Sequence, residues 1–511
     1  MPNDVGLFDT IVVGAGAAGC VLANRLSADP QRTVLLLEAG PDYGAEMSDW
    51  PAELRDPSSI WPDSHPWGYT LAGRDETAPF PLPRARVVGG TTTINGCVWL
   101  RGSDSDYDEW AAQGNPGWGF ADLLPYVQRA ESDSAGGPLA GRTGPVPIAR
   151  VARDDLAPPE RAFVAAAESL GFPFVADLNG TRHQFPCVGA APKNIADGTR
   201  MSAAFTYLAP SRSRPNLTLR PDTPVDRVAI EDGRAIGVRT IDGTLLRGRE
   251  IVLCGGAYGS PAILLRSGVG PAAHLRDVGV AVVANLPGVG EHLLDHPLVS
   301  PDRPRPRLIR PEHAPTVSSF IPLITKARSR HGGDIDLHIY MGQNYDAAFE
   351  AWYFWISASL QHARSRGSVR LTSPDPEAPL DIDHAYFSDS RDLDALCDGV
   401  ALAERIVETE AMQRILEPLR ETAPPWGEAS ALPDWVRARA GTTYHPSSTC
   451  RMGPASDAMA VVDHAGRVHG VAGLRVVDAS IFPTGPRANL HCTVVAVAEK
   501  LADVIARDGA R

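Results

Sequence analysis

Two apolar runs near the start of the chain predict neighbouring strands of a parallel sheet. The segment FDTIVVGAGAAGCVLANRLS, residues 8–27, begins with β-branched residues, turns on glycines and continues with Ala and Leu at helical spacing. This order predicts a strand, a tight turn and a helix. The segment TVLLLEAG, residues 33–40, predicts a second strand. Neither run alternates with polar residues, which indicates an α/β unit whose sheet is covered on both faces.

The pattern changes after residue 150. Residues 216–257 read as a β-meander with turns at Asp232-Gly233 and Asp242-Gly243, and they lead into another buried strand, IVLCGG. Four later segments alternate apolar with polar residues and have no helix between them: SSFIPLIT, DIDLHIYM, YFWISASLQ and GSVRLTS. Such a succession predicts an antiparallel sheet that is open on one face, where it would form the floor of a pocket.

These patterns predict two domains, of which the first is discontinuous because the meander returns to the parallel sheet. We assign residues 1–155, 215–300 and 465–511 to an α/β nucleotide-binding domain. Residues 156–214 and 301–464 are assigned to an α+β substrate domain built on the antiparallel sheet. A chain of 511 residues, 43% of them hydrophobic, is long enough to form two domains with a large core.

The charge and cysteine content exclude several classes of function. The chain has 48 basic and 61 acidic residues, a formal net charge of −13, so we expect no nucleic-acid partner. Its seven cysteines form no CxxC pair, which argues against a metal site and against a disulfide framework. With no signal peptide and no apolar run long enough to span a bilayer, the sequence predicts a cytoplasmic protein.

A glycine fingerprint lies between the first two predicted strands. Gly14, Gly16 and Gly19 have the spacing G-x-G-x-x-G, and Glu38 ends the second strand about 20 residues later. The first glycine allows the turn, the second allows a pyrophosphate to approach the backbone, and the third allows the helix to pack on the sheet. The helix N-terminus then faces the phosphates, and Glu38 is placed to bind a ribose hydroxyl. The pattern predicts a Rossmann-like dinucleotide site.

Two longer motifs resemble the signature segments of the glucose–methanol–choline (GMC) oxidoreductases. They are ARVVGGTTTINGCVWLRGSDSDYD, residues 85–108, and GAYGSPAILLRSGVG, residues 256–270. The resemblance extends over nearly the whole chain, through GVGEHLLDHP at 288–297 and VVDASIFPTGPRANLH at 476–491. It implies FAD in the Rossmann-like domain and oxidation of a small-molecule alcohol by hydride transfer to flavin N5. Dioxygen or another acceptor would then reoxidise the flavin.

The same resemblance implies the residues that bind FAD. The backbone of Val225 would meet the adenine, the first signature would run along the flavin, and Asp478 and Ala479 would lie near the ribityl and diphosphate groups. Ile94 stands where some members carry the histidine that binds FAD covalently, so we expect non-covalent FAD. The implied residues are Gly14, Gly16, Ala17, Ala18, Gly19, Glu38, Ala39, Arg86, Gly89, Gly90, Asn95, Gly96, Val98, Val225, Asp478, Ala479 and Asn489.

The decapeptide YHPSSTCRMG carries the candidate catalytic base, His445. Hydride leaves an alcohol carbon readily only when the hydroxyl proton also leaves, and a neutral imidazole can accept that proton near pH 7. By resemblance Asn489 is the second catalytic residue, which would hydrogen-bond the alcohol oxygen. His491 and Trp355 are candidate substrate contacts. The alternative for His491 is a polar residue packed below the flavin, and the alternative for Trp355 is packing beneath the pocket. His296, in LLDHP, is interpreted as making a structural hydrogen bond between the domains.

Three other functions stay open at this point. Some proteins of the GMC fold keep FAD structurally and cleave cyanohydrins, but those lyases carry two histidines where this chain has one His and one Asn. A flavoprotein disulfide reductase or a NAD enzyme would share the glycine fingerprint. The absence of a CxxxxC pair argues against the former, and the two GMC signatures argue against the latter.

The aromatic strand that contains Trp355 favours an apolar or aromatic primary alcohol as the substrate. The sequence leaves the electron acceptor and the oligomeric state open.

Overall fold

The structure, a computed structural model, describes residues 6–71, 80–301, 307–316, 318–347, 350–417 and 430–509. Two large sheets organise this part of the chain, and we call them the nucleotide sheet and the pocket sheet. No helix in the described ranges is long and apolar enough to cross a lipid bilayer.

The nucleotide sheet combines parallel strands with the predicted meander. Residues 245–247 of one long strand pair antiparallel with the meander, while residues 248–253 of the same strand pair parallel with the first strand of the chain. This arrangement confirms the predicted fold class. From edge to edge the strands are Leu217–Arg220, Val34–Leu37, Phe8–Val13, Leu245–Leu253, Arg234–Thr240 and Val225–Glu231, with Leu474–Val476 paired to Leu245–Leu253.

Helices cover the nucleotide sheet, as the lack of alternation in its strands requires. The helix Ala17–Leu26 packs against the closing helix Leu490–Gly509, and their Ala, Val and Leu side chains share one core. The buried Glu499 of the closing helix forms ion pairs with Arg25 and Arg129, each at 2.7 Å, which offset the cost of burying its charge. Further helices are Asp104–Ala112, Phe120–Ala130, Gly256–Arg266 and Ala272–Asp277.

The pocket sheet has helices on one face and a cavity on the other. Its long strands bury alternate side chains, such as Phe354 and Ile356, against the helices Pro158–Ser169 and Ser390–Val407. Only its last two strands run parallel. In order the strands are Gly441–Thr442, Pro297–Val299, Ala351–Leu360, Leu337–Asp346, Ser319–Ala327, Cys187–Ala190 and Phe174–Val175, with Arg307–Leu308 paired to Ala351–Leu360.

The structure differs from the sequence-based prediction in the fourth alternating segment. Ser368–Leu371 does not join the pocket sheet but pairs with Leu380–Asp383 in a separate hairpin. The reason is packing, because Val369 and Ile382 form a small core with Tyr258 of the second signature. Pro297–Val299 lies in the pocket sheet, although the sequence placed it in a nucleotide-domain segment. The domain boundaries as a whole stay a prediction.

Candidate active site

A cavity of about 1080 Å³ is lined by residues of both sheets. It reaches from the glycine loop of the first strand to the decapeptide around His445 and the aromatic strand Ala351–Leu360. Most residues that the sequence predicted for the site lie on its wall. These are Gly14, Gly16, Ala17, Ala18, Glu38, Gly90, Asn95, Gly96, Val98, Trp355, His445, Asp478, Ala479, Asn489 and His491.

The glycine loop fits the phosphates of a dinucleotide. Gly14 has a φ of 100°, and a Cβ there would lie 2.6 Å from the carbonyl oxygen of Cys254. A Cβ on Gly19 would lie 1.9 Å from the oxygen of Gly14, so only glycine allows the helix to approach the strand this closely. Gly16 faces open space, with no atom within 4 Å of its Cβ position. Here the backbone is accessible to a ligand at a helix N-terminus.

Glu38 and Asp478 are buried carboxylates on the cavity wall. Glu38 accepts hydrogen bonds from the backbone N–H of Ala15 at 2.9 Å and of Gly40 at 3.0 Å, and burial raises its pKa to about 7. Asp478 accepts from the N–H of Gly256 at 2.8 Å and from Ser260 Oγ at 2.6 Å, and burial raises its pKa as well. Glu38 therefore fixes the glycine loop, and Asp478 fixes the start of the second signature helix.

Five predicted cofactor residues do not line the cavity. They are Gly19, Ala39, Arg86, Gly89 and Val225. The first four support its wall: Gly89 donates its N–H to the oxygen of Ala15 at 2.7 Å, and Arg86 Nε donates to the oxygen of Ala39 at 3.0 Å. Val225 begins an antiparallel strand and pairs with Thr240. The contact of each with FAD stays a prediction.

His445 presents one ring nitrogen to Asn489 and the other to the protein interior. Its Nε2 lies 3.2 Å from Asn489 Nδ2 on the cavity side. Its Nδ1 lies 3.0 Å from Thr443 Oγ1 and 3.0 Å from His296 Nδ1. The loop is held from behind, since the N–H of His445 donates to Asp295 Oδ1 at 2.8 Å. The two predicted catalytic residues are thus brought together across 44 positions of sequence.

Thr443 favours one tautomer of His445 in the resting protein. The Thr443 hydroxyl donates its proton to the carbonyl oxygen of His296 at 2.9 Å, so its oxygen accepts a proton from His445 Nδ1–H. With the proton on Nδ1, Nε2 is an acceptor. Burial, together with the neighbouring His296, lowers the pKa of His445 well below its ordinary value, although Asp295 acts in the opposite direction. The ring is therefore neutral, and its acceptor nitrogen Nε2 is on the cavity side.

Sequence reasoning missed the roles of Asp295 and His296. Asp295 is fully enclosed, and although burial acts the other way, hydrogen bonds from His384, Thr442 and Tyr386 hold its pKa below the usual range. His296 makes its hydrogen-bond contact with the ring of His445. Both residues belong to the motif GVGEHLLDHP, so this part of the family resemblance could have indicated that they lie near His445.

His491 and Trp99 form one side of the site. The His491 ring lines the cavity and packs edge-on against Trp99, with ring centres 5.0 Å apart. Burial lowers the pKa of His491 to about 4, and its Nδ1 has no hydrogen-bond partner in the part of the chain that the structure describes. Trp99 itself is a core residue that donates Nε1–H to Glu131 Oε2 at 2.7 Å.

Aromatic rings wall the cavity next to the decapeptide. Trp355 packs against Phe320 at 5.2 Å between ring centres, and Trp61 packs against Tyr444 at 4.4 Å and Phe320 at 5.8 Å. Trp355 Nε1 donates to Asn344 Oδ1 at 3.0 Å, so its polar atom is already bonded. Trp61, Phe320 and Tyr444 were not predicted, because no periodic pattern connects three residues from separate segments.

Comparisons with known proteins agree with this geometry. Family models described as GMC oxidoreductase match residues 8–298 and 363–498. The chain is 34% identical to an oxygen-dependent choline dehydrogenase of Photobacterium profundum, over 98% of this chain and 93% of that protein. It is 35% identical to a 5-(hydroxymethyl)furfural oxidase of Methylovorus sp., over 98% of each protein.

A solved structure with a known name has a similar fold over nearly the whole chain. Pyridoxine 4-oxidase from Mesorbium loti superposes with a TM-score of 0.86 and 30% identity, over 97% of this chain and 99% of that chain. The matched family models, the identities and the shared fold cover both sheets and the cavity between them. The chain therefore belongs to the GMC oxidoreductase family, the FAD-dependent oxidoreductases that act on CH–OH donors.

Proposed function

We propose that this protein oxidises an aromatic or otherwise apolar primary alcohol to the aldehyde, with His445 as the base and Asn489 as the residue that orients the alcohol. The observation that carries the proposal is the His445–Asn489 pair at the cavity wall, in which Nε2 of His445 is the acceptor. A hydroxyl between the two side chains would donate to Nε2 and accept from the Asn489 amide.

FAD supplies the hydride acceptor for this reaction. The residues that would hold it are the glycine loop, Glu38 and the first signature, and the open side of Gly16 and the close packing at Gly19 support that fit. Ile94 is a buried apolar residue that packs in the nucleotide core, so it offers no atom for a covalent bond. We therefore propose non-covalent FAD, reoxidised by dioxygen or another acceptor.

The protein contributes orientation and proton transfer. Asn489 leaves its Oδ1 without a partner in the described ranges, which keeps its amide available to turn toward a substrate. The neutral His445 takes the hydroxyl proton, which makes the carbon a better hydride donor. The rings of Trp61, Phe320 and Trp355 exclude water and match a flat apolar alcohol. Two similar proteins are named 5-(hydroxymethyl)furfural oxidase and pyridoxine 4-oxidase.

The test is anaerobic reduction of the bound flavin by a panel of alcohols. We expect benzyl alcohol and 5-(hydroxymethyl)furfural to bleach the flavin faster than choline or glucose. Fastest bleaching by choline would instead select a cationic substrate. If no alcohol bleaches the flavin and the protein cleaves a cyanohydrin, the protein is a lyase and the proposal is wrong.

A further inference from the structure

A small second cavity lies behind the catalytic histidine. His445 itself does not line it, but His296 does, and His296 Nδ1 lies 3.0 Å from His445 Nδ1, the ring nitrogen that faces away from Asn489. Its volume is about 10 Å³, close to the space that the centre of a single water molecule needs. Its polar lining includes Asp295, His296, Gln361, His362, Ser447 and Thr484.

Among the described residues, Gln361 on this cavity has a buried polar atom without a partner, and His296 lines the cavity beside it. Gln361 is 0% exposed; its Nε2 donates to Ser359 Oγ at 2.7 Å, but its Oε1 has no hydrogen-bond partner among the residues described. His296 is 3% exposed, and its Nδ1 contacts His445. Its Nε2 lies 3.6 Å from the Cβ position of Gly485, which also lines the cavity. Burying a polar atom without a partner is unfavourable, so such atoms usually bind a water.

We propose that one water molecule occupies this cavity, and that His296 and this water carry the alcohol's proton from His445 toward His362 and solvent. The water donates to Gln361 Oε1 and accepts from His296 Nε2–H. The distance of 3.0 Å between the Nδ1 atoms of His445 and His296 is a hydrogen-bond distance. His362 lines the same cavity and is itself half-buried, so it connects the water with the protein surface.

The relay, which rests on the proposed alcohol oxidation, balances in atoms and electrons. With FAD bound, the flavin would take a hydride with two electrons from the alcohol, and His445 Nε2 takes the hydroxyl proton. His445 passes the proton on its Nδ1 to His296 Nδ1, His296 passes its Nε2 proton to the water, and the water releases one proton through His362. Both rings are left in the opposite tautomer.

Reoxidation returns both rings to their starting state. Where dioxygen is the acceptor, its reduction to hydrogen peroxide takes up two electrons and two protons, of which the hydride that the flavin would carry supplies one. The second proton comes from His445 Nε2, and the relay then runs inward to restore the Nδ1 proton of His445. The path behind the ring would let the proton leave while the aldehyde still occupies the Nε2 side.

The water itself is tested by a crystal structure of the FAD-loaded protein at high resolution. We expect one ordered water within hydrogen-bond distance of both His296 Nε2 and Gln361 Oε1. Density that shows no water there overturns the proposal. This test needs no alcohol, so its outcome is independent of the proposed function.

Proton release tests the relay. FAD-loaded protein is mixed anaerobically with the alcohol in weak buffer, while a pH-indicator dye and the flavin absorbance are recorded together. In the wild type we expect the proton to appear as the flavin bleaches. In His296→Gln and in Gln361→Leu we expect release to lag bleaching by about tenfold or more, the effect of removing one proton-transfer group.

A matched control is Gln343→Leu, which removes another buried amide from the pocket sheet, one that contacts Glu160 rather than the small cavity. It should release protons as the wild type does. Release that keeps pace with bleaching in both test variants overturns the relay, even if His296→Gln slows bleaching, because His296 then only positions His445. If no alcohol bleaches the wild type, the proposed function fails while the crystallographic result on the water still stands.

Discussion

At the scale of single residues, the hydroxyl of Thr443 decides which nitrogen of His445 accepts a proton. That hydroxyl is committed to the carbonyl of His296, so it can only accept from Nδ1–H. Nε2 is then left as an acceptor on the cavity side, with Asn489 beside it. A histidine without this neighbour would divide between two tautomers, of which only one is a base on the cavity side.

The lowered pKa of His445 predicts a flat pH profile. A base must be neutral to work, and burial with His296 moves the protonation of His445 well below its ordinary value, while Asp295 opposes the shift and Arg84 adds to it. An ordinary histidine, with a pKa of ~6.5, would be about three-quarters protonated at about pH 6. We therefore expect the anaerobic flavin-reduction rate to change little between about pH 8 and about pH 6. A fall in the rate with a midpoint near 6.5 would contradict the assignment.

At the scale of elements, adding one methyl group to the glycine loop should have different effects at Gly19 and at Gly16. Gly19→Ala places a Cβ 1.9 Å from the oxygen of Gly14 and should lower the free energy of unfolding by about 1–3 kcal/mol, even without FAD. Gly16→Ala meets no protein atom, so the apoprotein should keep its stability but bind FAD about tenfold or more weakly.

The comparison is made by urea unfolding of the apoproteins and by FAD titration. Gly333→Ala is the control, because its Cβ also meets no atom and it lies far from the glycine loop in sequence. Equal losses of apoprotein stability in Gly16→Ala and Gly19→Ala would show that the loop is not arranged as described.

The strand Ala351–Leu360 gives a second test, because its neighbouring aromatic residues face opposite ways. Phe354 is fully buried against helices, so Phe354→Ala should cost about 3–5 kcal/mol of stability. Trp355 faces the cavity, so Trp355→Ala should raise KM for an aromatic alcohol about tenfold while changing stability much less. Steady-state kinetics measure the change in KM, and urea unfolding measures the change in stability. A large loss of stability in Trp355→Ala with a raised KM in Phe354→Ala would show that the two side chains face the opposite sides from those described.

Elements with a strong local pattern could be predicted from the sequence. The segment SRDLDALCDGVALAERIVET predicts a helix, and the structure has one at Ser390–Val407. The hairpin of Ser368–Leu371 could not be assigned, because alternation gives a strand but not its partner. The contact between His296 and His445 was also missed, because the two residues are 149 positions apart and no local sequence pattern indicates a contact over such a separation.

At the scale of the whole molecule, the active site exists only when both sheets are in place. His445 follows the edge strand Gly441–Thr442 of the pocket sheet, whereas Asn489 precedes the closing helix on the nucleotide sheet. The pairing of these two residues could be predicted because the family resemblance covers both motifs that carry them. The aromatic wall comes from separate segments without a shared motif, so only the folded chain shows it.

FAD should dissociate from the protein when acid unfolds it. Ile94 is 2% exposed and carries no nucleophilic atom, so we expect no covalent link to the flavin. Acid precipitation of the FAD-loaded protein should release all of the yellow colour into the supernatant. A flavin absorbance that stays with the washed pellet would show attachment through another residue.

The central claim, that His445 is the base, is tested most directly by single-turnover flavin reduction. His445→Ala, loaded with FAD and mixed anaerobically with the best alcohol of the panel, should reduce its flavin about 10²–10⁴-fold more slowly than the wild type. His464→Ala removes an exposed histidine of the same C-terminal region and should match the wild type. Flavin reduction by His445→Ala at the wild-type rate would contradict the account.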